Sequence, residues 1–241
     1  MGGAAPEGPR GDAVTRAGFA LAAPFFLWLG GIALTLLPLG FYAPAYIYAG
    51  KSALCAAVVL ALRPWRFANC SGQWGDVLWG ALVGVAVYAL WALPESTPWP
   101  AVTEWYRRWL VMMPGTLPNY DASLCYAWSH SPALAIAKLL GSAFVIAPIE
   151  EFFFRGLLMR WLTQRDWQGL PIAGVSRHAF WATALVFAFE HDRFVGGLLA
   201  GVAYGGLAVR TNSLCAPIAA HVVTNLILGL HVLGLGAYGF W

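Results

Sequence analysis

The sequence is divided into seven long apolar stretches, and this pattern limits the fold more than any other feature. They cover residues 19–37, 45–62, 77–93, 133–149, 179–189, 194–209 and 214–236. Only 10% of the 241 residues are charged. A soluble domain carries about 25%, because its surface must face water. Since a helix needs ~20 apolar residues to cross a bilayer, we predict an all-α, polytopic membrane bundle of about 7–8 transmembrane helices.

The regions outside these stretches predict how the chain is organised. Residues 1–17 are rich in glycine and proline and are predicted to form a disordered tail. Residues 18–241 are predicted to form a single membrane domain, in which residues 94–131 are an interfacial loop with several tryptophans. Arginines lie in the tail and after the second, fourth and sixth stretches. Because positive charges favour the cytoplasm, we expect a multi-pass protein of the cell inner (plasma) membrane with a cytoplasmic N-terminus. The net charge of +3 is too small to suggest a nucleic-acid partner.

The first of three polar clusters follows the fourth apolar stretch without a gap. It contains Glu150, Glu151 and Arg155. Placing an ionisable residue inside an apolar helix costs ~2.5–3.5 kcal/mol, so such residues indicate a functional site. Glu151 and Arg155 are four residues apart and can pair on one helix face. Glu150 points ~100° away and has no partner on its own helix. It is therefore a candidate general base, although an ion-pair network without catalysis would also explain the cluster.

The second and third clusters contain the two histidines that could assist such a base. His191 lies four residues after Phe187, where two apolar stretches too short to cross ~30 Å of hydrocarbon meet. Such a polar junction is tolerated where it lines a water-filled recess. His221 and Asn225 share a helix face, a pattern that interhelical hydrogen bonds also explain. We predict that the clusters meet, with Glu150 activating water, His191 holding it, and His221 and Asn225 donating hydrogen bonds to the oxyanion.

Other functions remain open from the residues alone. The chain lacks the His-Glu-x-x-His and Gly-x-Ser-x-Gly motifs of other hydrolases. A zinc-dependent membrane protease could use Glu150, His191 and His221 as ligands, although we expect no metal and no cofactor. A non-catalytic membrane scaffold or immunity-type protein could retain the same residues. A small transporter could use Lys51 and Lys138 in a charge relay.

The three clusters also form a recognisable series of motifs. In chain order these are Glu150-Glu151-x-x-x-Arg155, Phe187-x-x-x-His191 and His221-x-x-x-Asn225. The series resembles the CPBP family of intramembrane glutamic endopeptidases, which includes the type II CAAX prenyl endopeptidases. The resemblance implies an all-helical membrane protein of about eight helices with its active site in a cavity.

The resemblance also implies a role for each motif residue. Glu150 would be the base that activates water, with His191 assisting, and His221 and Asn225 would be the oxyanion donors. The residues expected to support this site are Glu151, Arg155 and Phe187.

Three further segments extend the resemblance to most of the chain. Tyr48-x-x-Lys51, Val83–Glu95 and the C-terminal segment from Asn225 to Trp241 are similar to a bacterial CAAX-protease-related subgroup. Members of that subgroup accompany exosortase/PEP-CTERM protein-sorting systems. The resemblance therefore implies a membrane-anchored or lipidated protein as substrate, and a link to an exosortase system.

Overall fold

The structure is a computed structural model that describes residues 9–35, 37, 39–40, 43–96, 98–110 and 122–241. The described residues form helices and connecting turns, with no β-strand. The helices up to the middle of the chain are α1 (Pro9–Thr35), α2 (Ala43–Leu62), α3 (Trp74–Ala92), α4 (Pro100–Leu110) and α5 (Ala122–Tyr126). The helices of the C-terminal half are α6 (Pro132–Leu140), α7 (Ala147–Glu151), α8 (Met159–Thr163), α9 (Arg177–Phe189), α10 (Phe194–Thr211) and α11 (Cys215–Leu235).

Six helical segments in the described part of the chain are long and apolar enough to cross a membrane. They are Val14–Thr35, Ala43–Arg66, Trp74–Glu95, Pro132–Thr163, Phe194–Thr211 and Cys215–Leu235. The seventh apolar stretch forms α9, which has 13 residues. At 1.5 Å per residue α9 reaches only ~20 Å, and it ends at the polar junction that precedes α10. The predicted all-α, polytopic membrane bundle is confirmed.

Helices also occur within the predicted tail and the predicted interfacial loop. The first helix begins at Pro9, within residues 1–17, and residues 1–8 lie outside the described residues. Residues 94–131 contain α4 and α5, and residues 111–121 lie outside the description. The division into a tail, a membrane domain and an interfacial loop stays a prediction. In α4, Trp105 is exposed while Tyr106 is buried, as in an amphipathic helix.

The Pro132–Thr163 helix is continuous but irregular. It contains two π-helical segments, Gly141–Ile146 and Phe152–Leu158, on either side of α7. Pro148 lies at the start of α7, and a proline there would clash with the carbonyl of Phe144 in a regular α-helix. The wider turns of a π-helix change the position of that carbonyl. Short π-helical segments frequently occur at functional sites, and these two enclose Glu150 and Glu151.

The helices α3 and α11 are in close backbone contact. A Cβ atom at Gly80 or Gly84 of α3 would overlap the carbonyl of Ala216 or Ala220 of α11. Glycines four residues apart allow helices to approach closely in a membrane. The hydroxyl of Thr224 on α11 lies 2.9 Å from the Gly84 carbonyl. This packing fixes the position of α11 and therefore of the third polar cluster.

Candidate active site

A cavity of about 240 Å³ lies between the Pro132–Thr163 helix and helices α9, α10 and α11. Since one water molecule needs about 10–15 Å³ of such space, the cavity has room for several waters. The predicted site residues that line it are Glu150, Phe187, His191, His221 and Asn225. The three polar clusters of the sequence therefore converge in one space. The other two predicted residues, Glu151 and Arg155, are fully buried behind its wall.

Glu151 and Arg155 form a buried ion pair. Arg155 Nη1 donates to Glu151 Oε1 at 2.9 Å, and Nη2 donates to the Gly201 carbonyl of α10 at 3.0 Å. The guanidinium also lies 4.5 Å from the centre of the Phe187 ring. Arg155 therefore joins its own helix to α9 and α10. The ion pair agrees with the prediction from the four-residue spacing, whereas the contacts with Gly201 and Phe187 come from the tertiary structure.

His221 lies between the two glutamates. Its Nδ1 is 3.0 Å from Glu151 Oε1, so it donates a hydrogen bond to that carboxylate. Its Nε2 is 3.7 Å from Glu150 Oε2 and faces the cavity. The ring stacks on Tyr204, whose hydroxyl donates to Thr224 Oγ1 at 2.8 Å. These contacts fix the ring orientation and the tautomer, which decides what Nε2 can do. A neutral His221 accepts a hydrogen bond at Nε2, and a protonated one donates.

Glu150 has fewer hydrogen bonds than Glu151, the other carboxylate of its helix. It is 8% exposed, and its Oε2 accepts no hydrogen bond from the described residues. His221 Nε2 lies 3.7 Å from the same oxygen. A buried carboxylate oxygen without a hydrogen bond is costly, so its presence requires an explanation other than stability. Since the side chain borders a cavity that can hold water, it can act on a molecule there.

His191 presents an acceptor to the same cavity. Its Nδ1 lies 2.8 Å from the Phe187 carbonyl and therefore donates to it. Nε2 of the neutral ring then carries the lone pair and can accept a hydrogen bond from water. The ring packs between Phe187, at 4.6 Å, and the edge of Trp91, at 5.4 Å between ring centres. This arrangement suits a residue that holds a water molecule by accepting a hydrogen bond from it.

Asn225 is anchored to the first π-helical segment. Its Nδ2 donates to the Ser142 carbonyl at 2.9 Å. A carboxamide has two N–H bonds, so one remains available to the cavity. The role of Asn225 as an oxyanion donor stays a prediction. Because the first N–H bond is used by Ser142, only the second could serve in that role.

Arg193 organises the rim of the cavity at the junction between α9 and α10. It is buried and pairs with Glu95, which follows α3, and with Asp192 at 2.7 Å. Its Nη2 donates to the Gly239 carbonyl at 3.0 Å, and the guanidinium lies 4.5 Å from the Phe240 ring centre. The C-terminal segment is thereby bound to the junction that carries His191. Because Glu95 and Arg193 are far apart in sequence, no local pattern indicated this pair.

Four other residues of the site were missed by sequence reasoning. They are Trp91, Ser142, Tyr204 and Thr224. Tyr204 lies among glycines and alanines of α10, where an aromatic residue suggests only packing. Thr224 lies between His221 and Asn225, and its position within that motif was the one available signal.

The geometry of the site does not match a metal centre. Among the residues that the structure describes, no group of three His, Cys, Asp or Glu side chains converges as metal ligands would. The zinc alternative built on Glu150, His191 and His221 therefore gains no support from the geometry.

Comparison with known proteins connects this site to a family. Residues 132–227 match a family model described as type II CAAX prenyl endopeptidase Rce1-like. The match covers less than half of the 241-residue chain, but it contains all three polar clusters. It supports a CAAX-type intramembrane protease. No curated protein and no solved structure matches the chain significantly. The similarity to the exosortase-associated subgroup stays a prediction.

Proposed function

We propose that this protein is a glutamic intramembrane endopeptidase, which hydrolyses a peptide bond of a membrane-anchored or lipidated protein with water activated by Glu150. One observation carries the proposal. The carboxylate of Glu150 lies on a membrane-spanning helix, without a hydrogen bond to Oε2, at a cavity that His191 and His221 also line. The family match over residues 132–227 supports the same class of reaction.

The proposed reaction begins with a water molecule held between two acceptors. Glu150 and His191 Nε2 each accept a hydrogen bond from one of its two O–H groups. As the water oxygen attacks the peptide carbonyl carbon, Glu150 takes one proton and the carbonyl oxygen becomes an oxyanion. The C–N bond then breaks, and the proton passes from Glu150 to the leaving nitrogen. The products are a carboxylic acid and an amine, and no covalent enzyme intermediate forms.

The oxyanion would be stabilised by His221 and Asn225. His221 can donate from Nε2 only in its protonated form. The carboxylates of Glu151, at 3.0 Å from Nδ1, and Glu150, at 3.7 Å from Nε2, would stabilise that charge. Since Glu151 accepts the Nδ1 hydrogen bond, the proton at Nε2 would point into the cavity. Such a donor contributes about 3–4 kcal/mol to catalysis in other enzymes.

The proposed substrate is a protein held in the same bilayer. A protease site inside a helical bundle meets membrane-anchored or lipidated chains far more often than soluble ones. The exosortase link, the inner membrane and the cytoplasmic N-terminus stay predictions. Deleting the gene and searching for a membrane protein that accumulates uncleaved would test the link directly.

The decisive variant is Glu150→Gln, which keeps the size of the side chain and removes its basicity. The purified protein in lipid nanodiscs would be assayed with a quenched, farnesylated peptide and with a transmembrane-anchored reporter. We expect cleavage to fall by at least about 10³-fold, since general base catalysis and the activated water are lost together. Thermal unfolding, followed by tryptophan fluorescence, should change little.

Glu104→Gln is the matched control, because Glu104 is exposed on α4 and does not line the cavity. It should cleave both substrates as the unmodified protein does. Full cleavage by the Glu150→Gln variant would reject the glutamic mechanism and favour a non-catalytic or different role for the site.

A further inference from the structure

A second cavity, of about 250 Å³, shares no lining residue with the candidate active site. It lies where α8 meets the segments that follow α2, α8 and α10. Its polar lining consists of Arg66, Asn69, Arg160, Gln168 and Asn212, and none of the described residues that line it is an aspartate or a glutamate. We call this space the arginine cavity. Its wall carries two positive charges and no negative one.

Arg160, which is 7% exposed, forms the buried polar part of the arginine cavity. Its Nε, Nη1 and Nη2 atoms donate to the carbonyls of Leu170, Gly156 and Gln168 at 2.9, 3.2 and 3.1 Å. A guanidinium has five N–H bonds, so two of them have no acceptor among the residues that the structure describes. Within that part of the chain no carboxylate forms a salt bridge to Arg160. The three carbonyls offset the buried charge only in part, which favours an anion in the cavity.

Two residues at the rim add donors to this buried cation. Arg66 is exposed and forms no salt bridge within the described residues. Asn212 accepts a hydrogen bond at Oδ1 from the backbone N–H of Ala173, at 3.0 Å. This contact fixes the orientation of the carboxamide and leaves both N–H bonds of Nδ2 for a ligand. An anion in the cavity would therefore meet donors from separate segments of the chain.

Hydrogen bonds hold the walls of the arginine cavity together without a ligand. Asn69 Nδ2 donates to the carbonyl of Asn212, and the Leu214 N–H donates to the carbonyl of Asn69 at 2.7 Å. These contacts join the segment after α2 to the segment after α10. The contact between Ala173 and Asn212 joins the segment after α8 to the same place. A site whose donors are already in position binds a ligand at a lower entropic cost.

The arginine cavity lies at the ends of three candidate membrane spans. The span Ala43–Arg66 ends at Arg66 itself, Pro132–Thr163 ends three residues after Arg160, and Asn212 directly follows Phe194–Thr211. Because such helices leave the hydrocarbon at their ends, the cavity is at the level of the phospholipid headgroups. Basic cavities between membrane helices bind anionic headgroups in other proteins.

We propose that the arginine cavity binds a phosphate group, carried by the headgroup of an anionic phospholipid or by a soluble phosphate. Guanidinium groups match phosphate oxygens in pairs of parallel hydrogen bonds. A phosphate also has enough oxygens to accept from Arg160, Arg66 and Asn212 at once, whereas a carboxylate has only two. The site is separate from Glu150 and does not depend on the proposed hydrolysis.

A lipid-binding experiment tests the first source of phosphate. The purified protein in neutral detergent is titrated with dioleoylphosphatidylglycerol or with dioleoylglycerol, which has the same acyl chains and no phosphate. Native mass spectrometry counts the molecules bound and gives their dissociation constants. We expect the first phosphatidylglycerol to bind at least about tenfold more tightly than dioleoylglycerol, because charge-assisted hydrogen bonds hold its phosphate.

Two variants connect this preference to the cavity without removing the buried Arg160. Arg66→Gln deletes an exposed charge, and Asn212→Asp keeps the oxygen that accepts from Ala173 while adding a negative charge. Each should weaken the first phosphatidylglycerol by about tenfold, since each loses one donor to a charged group. Thermal unfolding without ligand shows whether both variants fold. Arg210→Gln is the matched control, because Arg210 is an exposed arginine at the end of α10 that does not line the cavity, and it should bind normally.

Inorganic phosphate tests the second source, with chloride of equal ionic strength as the reference. A ligand that binds only the folded protein raises its unfolding temperature. If the ligand is a soluble phosphate, this rise should occur in the unmodified protein and in Arg210→Gln, and should be absent in Arg66→Gln. A preference for phosphatidylglycerol without this rise identifies the ligand as a lipid headgroup.

Two results would overturn the proposal. One is that phosphatidylglycerol binds no more tightly than dioleoylglycerol while inorganic phosphate leaves the unfolding temperature unchanged. The other is that Arg66→Gln and Asn212→Asp lose no more affinity than Arg210→Gln, because binding would then follow the overall charge of this end of the bundle and not the cavity.

Discussion

Two of the charged groups embedded in this helical bundle are compensated in different ways. Around Glu151, the carboxylate pairs with Arg155 and accepts a hydrogen bond from His221. Lys51 and Lys138, called here the lysine pair, lie against the rings of Trp28 and Tyr48 and form no salt bridge to a carboxylate within the described residues. The bundle therefore offsets buried charge by an ion pair in one place and by aromatic rings in the other.

The largest effect should come from breaking the compensated group. Arg155→Met leaves Glu151 buried without its cation and also removes the contact with the Gly201 carbonyl. Loss of one partner of a buried ion pair costs about 3–5 kcal/mol. The free energy of unfolding in detergent should fall by that amount. Arg177→Met, at an exposed position, serves as the control. An unchanged stability would mean that the ion pair is not what holds α9 and α10 to the Pro132–Thr163 helix.

A smaller effect, confined to catalysis, is expected at His221. Asparagine can place a donor where Nδ1 lies and keep the hydrogen bond to Glu151, but it has no atom at the position of Nε2. His221→Asn should therefore reduce cleavage about 10²–10³-fold with little change in unfolding temperature. His178→Asn changes an exposed histidine and should be neutral. If His221→Asn retained full activity, the Nε2 atom would have no role in oxyanion stabilisation.

Tyr204→Phe tests how far the supporting contacts matter. It removes the hydrogen bond to Thr224 but keeps the ring that stacks on His221. One neutral hydrogen bond contributes about 1 kcal/mol, so the unfolding free energy should decrease by roughly that amount. Activity should fall only a few-fold, measured with the quenched peptide. A loss as large as that of His221→Asn would show that the hydroxyl acts in catalysis itself.

The smallest effect on stability should be at the lysine pair. Lys138→Met removes a charge that has no carboxylate partner in the described structure, and it keeps the length of the side chain. The unfolding free energy should change by no more than about 1 kcal/mol, because the lost cation–π contact and the avoided burial of charge oppose each other. A loss comparable to that of Arg155→Met would remove the contrast between the two groups.

Part of the site could be predicted because its members are close in sequence. The pairing of Glu151 with Arg155 follows from their spacing of four. The His221–Asn225 face was predicted on the same basis, and both residues line the cavity. The Glu95–Arg193 pair could not be predicted, since its members come together only when the end of α3 packs beside the α9–α10 junction. Composition also gave no sign that helix α1 would begin as early as Pro9.

The sequence by itself determined that the chain is a membrane-embedded helical bundle. It also determined which helices carry ionisable groups, since burial of charge in apolar stretches is visible without coordinates. The tertiary structure decided which of those groups share a space and what each nitrogen can donate or accept. It also brought Lys138 and Glu150 to the same cavity. The physical reason is that a regular helical repeat places residues that are close in sequence. Contacts between helices, and the width of each turn, depend on packing that no local pattern specifies.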